Sequence, residues 1–84
     1  MNLDKIFRTL TTFLNEYDLP DGYASTFPHE EYPSATLIYS DTHGDDLTNE
    51  LLWKPTKIGG ESASITFNGL TITVLTYWTK EDES

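Results

Sequence analysis

Asn68-Gly69 lies between two runs in which apolar and hydroxyl residues alternate, Ala63-Ser64-Ile65-Thr66-Phe67 and Leu70-Thr71-Ile72-Thr73-Val74. An Asn-Gly pair accepts positive φ at both central positions, which a type I′ hairpin turn requires. A two-residue loop leaves one register. It sets Phe67 opposite Leu70, Ile65 opposite Ile72 and Ala63 opposite Val74 on one face, with Thr66 opposite Thr71 and Ser64 opposite Thr73 on the other. A slip of one residue would turn every apolar side chain into water. The C-terminal third is therefore a hairpin with one apolar face, and that face needs a cover.

The N-terminus supplies one. Leu3, Ile6, Phe7, Leu10, Phe13, Leu14 and Tyr17 fall at i, i+3, i+4, i+7, i+10, i+11 and i+14, a continuous stripe on a helix over about 3–17. Asn2 is placed to cap it, and Asp4 sits in the first turn, where the helix dipole favours an acid. Pro20 and Gly22 end it. Asp4, Arg8, Thr11, Thr12, Asn15 and Glu16 then face water.

Between these pieces Pro20, Pro28 and Pro33 break any long element. Tyr23 to Phe27 reads as a short edge strand and Pro28 to Tyr32 as a single helical turn. Ala35 to Ser40 reads as a strand, Asp41 to Asp46 as a loop, and Glu50 to Lys54 as a further strand with Leu51 and Trp53 on one face. The final strand runs on through Thr76 and Trp78, and residues 80–84 form a frayed tail. The expected fold class is α+β: one domain over 1–84, with an N-terminal amphipathic helix packed on an antiparallel sheet of four to five strands.

At 84 residues such a chain buries roughly 60–65% of its unfolded surface, so the core is thin. With no cysteine, neither a disulfide framework nor a zinc-thiolate site supports it. The opening residues lack the continuous apolar run of a signal peptide, and no run is long enough to span a membrane. Together these features predict a cytoplasmic protein. Fourteen acids against five bases give a net charge of −9, which excludes direct nucleic-acid binding and anionic membrane surfaces as the main activity.

The catalytic inventory is poor. No serine sits in a nucleophile elbow, and Gly59-Gly60 lacks the surroundings of a phosphate loop. His29 and His43 both fall in loops beside carboxylates, without the cleft that acid–base chemistry needs. Asp41-Thr42-His43-Gly44-Asp45-Asp46 fails as an EF-hand: its glycine stands at loop position four rather than six, and position twelve is Leu52. A single imidazole among loose carboxylates is equally poor as a transition-metal site. No catalytic residue, metal or cofactor is implied.

Charge is more informative. Between Arg8 and Lys54 there is no base, while Glu16, Asp18, Asp21, Glu30, Glu31, Asp41, Asp45, Asp46 and Glu50 all lie there. The remaining five acids are matched by five bases, so the whole excess sits in this stretch. Uncompensated charge costs stability through self-repulsion. One explanation is solubility. The other is that the carboxylates stand in for phosphates and occupy a basic groove.

The order of elements resembles the phage-type uracil-DNA glycosylase inhibitors. The resemblance rests on a short N-terminal helix, a Pro-x-Glu-Glu element (Pro28 to Glu31) before a strand (Ala35 to Ser40), and an acid-rich loop (Asp41 to Asn49) leading to Glu50-Leu51-Leu52-Trp53. Lys54-Pro55 and the Asn68-Gly69 hairpin follow. The family's Glu-Ser-Ile on an early edge strand has no counterpart here, since Asp21 to Thr26 contains no glutamate. The resemblance implies a DNA mimic that performs no chemistry and inhibits by filling the groove of a DNA-binding enzyme, in the host cytoplasm. Asp21, Glu30, Glu31, Asp41, Asp45, Asp46 and Glu50 would meet the basic partner, and Leu37, Tyr39, Leu51 and Trp53 could line an apolar pocket. The same charge pattern would suit an immunity protein or antitoxin, an anti-restriction or anti-CRISPR inhibitor, or a plain acidic structural or regulatory domain.

Overall fold

In the computed structural model, whose described residues are 1–57 and 59–78, the helix α1 spans Leu3–Glu16. Asn2 caps it, its side-chain oxygen accepting the Lys5 N–H at 2.9 Å. Ile6, Thr9, Leu10 and Phe13 form the buried line. Leu14 and Tyr17 are half-buried, whereas Leu3 and Phe7 are exposed. The stripe expected from sequence is thus wider than the buried face. Phe7 lies on one flank of it, and Thr9, on the other flank, turns inward because its hydroxyl is satisfied by the Lys5 carbonyl at 2.8 Å.

The helix stops by a Schellman motif rather than at Pro20. Leu19 N–H donates to the Leu14 carbonyl (2.9 Å) and Asp18 N–H to that of Asn15 (3.4 Å), with Asp18 left-handed at φ 53°. Leu19, next along, is buried in the core.

Five strands make one sheet: β1 (Tyr23–Phe27), β2 (Ser34–Ser40), β3 (Lys54–Thr56), β4 (Gly60–Phe67) and β5 (Leu70–Tyr77), ordered β1-β2-β5-β4-β3. The β4–β5 hairpin has the register expected from Asn68-Gly69, and both turn residues have positive φ. The sheet is mostly antiparallel, but β2 and β5 pair in parallel. This departs from the all-antiparallel expectation. Alternation in β2 marks its buried face and leaves its neighbour open, and the long Asp41–Trp53 connection carries the chain from β2 to the far edge.

One sheet face is apolar: Ala35, Leu37 and Tyr39 of β2 stand beside Ile72, Val74 and Thr76 of β5, with Ala63, Ile65 and Phe67 of β4 beyond. Helix α1 packs on it, and Phe13 meets Phe67 edge-on at 5.4 Å. The other face carries Ser25, Thr36, Thr73 and Ser64 in one row, with Ser64 and Thr73 hydroxyls 3.1 Å apart.

Three local expectations are corrected. Pro28–Tyr32 is a bend, not a helical turn, because the His29 Nδ1 accepts both the Glu31 and Tyr32 N–H groups at 3.1 Å. The Asp41–Asp46 loop contains the start of a short helix, α2 (Gly44–Leu47). Residues 49–51 bend instead of starting a strand, since Thr48 holds the Glu50 N–H (3.2 Å) and the Trp53 indole N–H (2.9 Å). β3 begins only at Lys54 and tolerates Pro55 as an edge strand. β5 ends at Tyr77, one residue short of Trp78, and the tail 80–84 lies outside the described residues.

Asp18 holds a conformation that glycine adopts at no steric cost. Asp18→Gly should therefore stabilise the fold by about 0.5–1 kcal/mol, raising the melting temperature by a few degrees in thermal denaturation.

Candidate functional site

The end of the sheet where β2 finishes gathers most of the predicted acids. β2 ends at Ser40, and Asp41 follows in a left-handed conformation (φ 56°), its N–H donating to the Tyr77 carbonyl at 2.7 Å. Helix α2 comes next and presents Asp45 and Asp46 to solvent. Across the strand pair, Tyr23 sits opposite Ile38, which brings the preceding Asp21 to the same end. Asp21, Tyr23, Tyr39, Thr42 and Leu47 line an open hollow of about 470 Å³ there.

Helix α2 is fixed by residues distant in sequence. Gly44 N–H donates to Glu61 Oε1 at 3.0 Å, so a β4 side chain caps the turn that His43 leaves uncapped. The Trp53 indole packs on Gly44 so closely that a Cβ there would overlap the ring. The His43 ring lies 3.8 Å from that of Trp78. Glu61 is a structural support of α2 that the sequence does not reveal. Its partner is 17 residues away, and no local pattern marks the pairing.

Tyr39 closes the floor. Its hydroxyl donates to the Pro20 carbonyl at 2.7 Å. Burial, with a smaller contribution from the Asp21 charge, raises its pKa from 10.0 to about 12.

Glu30 and Glu31 are elsewhere. They sit between β1 and β2, at the start of β2, so the length of that strand, about 20 Å, separates them from Asp41. There His29 lies between the rings of Phe27 (5.6 Å) and Tyr32 (5.8 Å). Glu50 is exposed on the bend after α2. The acidic belt of the sequence is thus split into two groups. Among the described residues no carboxylate pairs with a lysine or arginine, and no three acids or histidines converge on a metal-sized site. Of the four apolar candidates, Leu37, Tyr39 and Leu51 are buried in the core, with Tyr39 also reaching the hollow, and Trp53 is half-buried against Gly44.

No family model, curated protein or solved structure matches the chain. No helix among the described residues is long and apolar enough to cross a membrane.

Two outcomes test this arrangement. Glu61→Ala should cost about 1–2 kcal/mol and speed hydrogen exchange at Gly44, while Glu61→Gln, which keeps an acceptor oxygen, should recover most of the loss. The raised Tyr39 pKa means that the unfolded chain ionises first. The stability it contributes is present below pH 10 and is lost as pH rises to about 12. Tyr39→Phe should therefore show a shallower decline over that window in chemical denaturation series.

Proposed function

We propose that this protein is an acidic DNA mimic that binds a DNA-processing enzyme and blocks its basic groove, with uracil-DNA glycosylase as the first target to test. The observation that supports this reading is the group Asp21, Asp41, Asp45 and Asp46, four carboxylates at one end of the sheet, none paired with a lysine or arginine among the described residues. Unpaired like charges repel one another. A cationic groove relieves that repulsion, and the free energy recovered appears as affinity.

Such a mimic works by occupancy. Carboxylates presented on strand ends and a short tethered helix need little ordering when they meet arginines or lysines, which keeps the entropic cost of binding low. Long-range attraction steers the encounter and raises the association rate, and salt screens it within about 8–10 Å at physiological strength. Glu30 and Glu31, at the far end, lie outside this group, so one chain offers its densest charge at a single end.

The experiment is a titration into uracil-DNA glycosylase acting on a uracil-containing duplex. Stoichiometric inhibition that weakens as salt rises is expected. Asp45→Lys should weaken it at least tenfold, in line with interfacial charge pairs worth about 1.5 kcal/mol or more. Asp4→Lys makes the same change in net charge on the helix, away from this end, and should cost less than about threefold. Full glycosylase activity at excess protein would remove this enzyme as the target. Equal effects of the two substitutions would contradict the assignment of the acidic end.

A further inference from the structure

The two edges of the sheet are treated differently. The β3 edge is three residues long, contains Pro55 and carries Lys54, with Lys57 directly after it. These are the usual protections against edge-to-edge pairing. The β1 edge has none within the strand itself, Pro28 following only after its last residue. Tyr23-Ala24-Ser25-Thr26-Phe27 holds no charge and no proline, and four of its five residues are exposed. Tyr23 and Phe27 keep 73% and 57% of their surface in water. Only β2 pairs with this strand, so its outward N–H and C=O groups have no strand partner.

We infer that β1 pairs with β1 of a second copy of this chain, antiparallel and centred on Ser25, joining two five-stranded sheets into one. The strand is self-complementary in that register. Tyr23 falls opposite Phe27 of the second copy on the open face, twice by symmetry, and Ala24 opposite Thr26 on the helix side. Aromatic cross-strand pairs are among the more stabilising ones. The register ends at Phe27, because the chain turns at Pro28, where the His29 N–H donates to the Phe27 carbonyl at 3.0 Å. The open-face rings Phe27, His29 and Tyr32, already stacked in one copy, would extend onto the second copy's Tyr23.

The pairing has a consequence for charge. Because the strands run in opposite directions, Glu30 and Glu31 of one copy arrive at the end that holds Asp21, Asp41, Asp45 and Asp46 of the other. The two groups that a single chain keeps about 20 Å apart are brought to the same end in the dimer. That gathering opposes association, as does the net charge of −9 on each copy. A five-residue edge also buries little area. The dimer is accordingly weak at low salt and tightens as salt screens the repulsion. This is opposite in sign to the salt dependence of binding to a basic enzyme. The pairing itself stands on the β1 geometry and does not require the function proposed above, so the two can fail separately.

Sedimentation equilibrium from about 10 µM to about 1 mM, at about 0.05 M and about 0.5 M salt, spans the range over which screening shortens markedly. The expected result is a monomer–dimer equilibrium shifted at least tenfold toward dimer at the higher salt. Ser25→Lys, which sets two like charges face to face on an exposed strand, should leave a folded monomer with an unchanged circular dichroism spectrum. The chain has no cysteine, so Ser25→Cys provides a second reading. It should form disulfide-linked dimers under mild oxidation much faster than Thr11→Cys on the exposed helix face. A chain monomeric at 1 mM in high salt would overturn the inference and leave the edge to a strand from another protein. So would a dimer that survives Ser25→Lys, or equal cross-linking at the two cysteines.

Discussion

The structure depends on β5 being paired along both of its edges. On one side the Asn68-Gly69 turn locks it to β4, and on the other it runs parallel to β2 over seven residue pairs. Leu70, Ile72 and Val74 are wholly buried as a result, and they form the middle of the face on which α1 lies. In a chain of this size that face is the core. At about 25 cal/mol per Å² of apolar surface removed from water, few other features could hold the fold.

The acidic end follows from the same strand. Tyr77, the last residue of β5, accepts the Asp41 N–H and so sets where the chain leaves β2. Thr76 stands opposite Glu61 on the buried side, and Glu61 in turn holds Gly44 and the helix that carries Asp45 and Asp46. Asp41, Asp45 and Asp46 are therefore only one or two hydrogen bonds removed from the central pairing. Self-repulsion among them is resisted by hydrogen bonds and by the indole of Trp53 on Gly44. A charge group fixed in this way is suited to recognition, because little of its binding free energy is lost to ordering.

What was legible in the sequence was local. The hairpin register could be read because turn chemistry and alternation lie within a dozen residues and agree. The helix could be read from its spacing, including the Asn2 cap. Its end is less visible, since a left-handed aspartate at position 18 has no strong sequence mark, whereas Pro20 and Gly22 have one. Distant pairings were hidden. The alternation of Ala35, Leu37 and Tyr39 marks a buried face without saying that β5 runs parallel beside it. Glu61 looked like one more neutralised acid, and nothing near it points to Gly44. The acids themselves show the same limit: Glu30, Glu31, Asp41, Asp45 and Asp46 are close in sequence, yet a strand lies between the two groups and separates them in space. The charge imbalance of the belt is visible in the sequence, whereas its arrangement in space is set by the fold.

The proposed recognition surface is the end of the molecule carrying Asp21, Asp41, Asp45 and Asp46. Backbone amide chemical-shift mapping, with isotope-labelled protein titrated with unlabelled uracil-DNA glycosylase, tests it most directly. The largest perturbations are expected at residues 21–23 and 41–47, with the Thr66–Thr71 hairpin end unchanged. Perturbations centred on the hydroxyl face around Thr36, Thr73 and Ser64, or none at saturating enzyme, would contradict it.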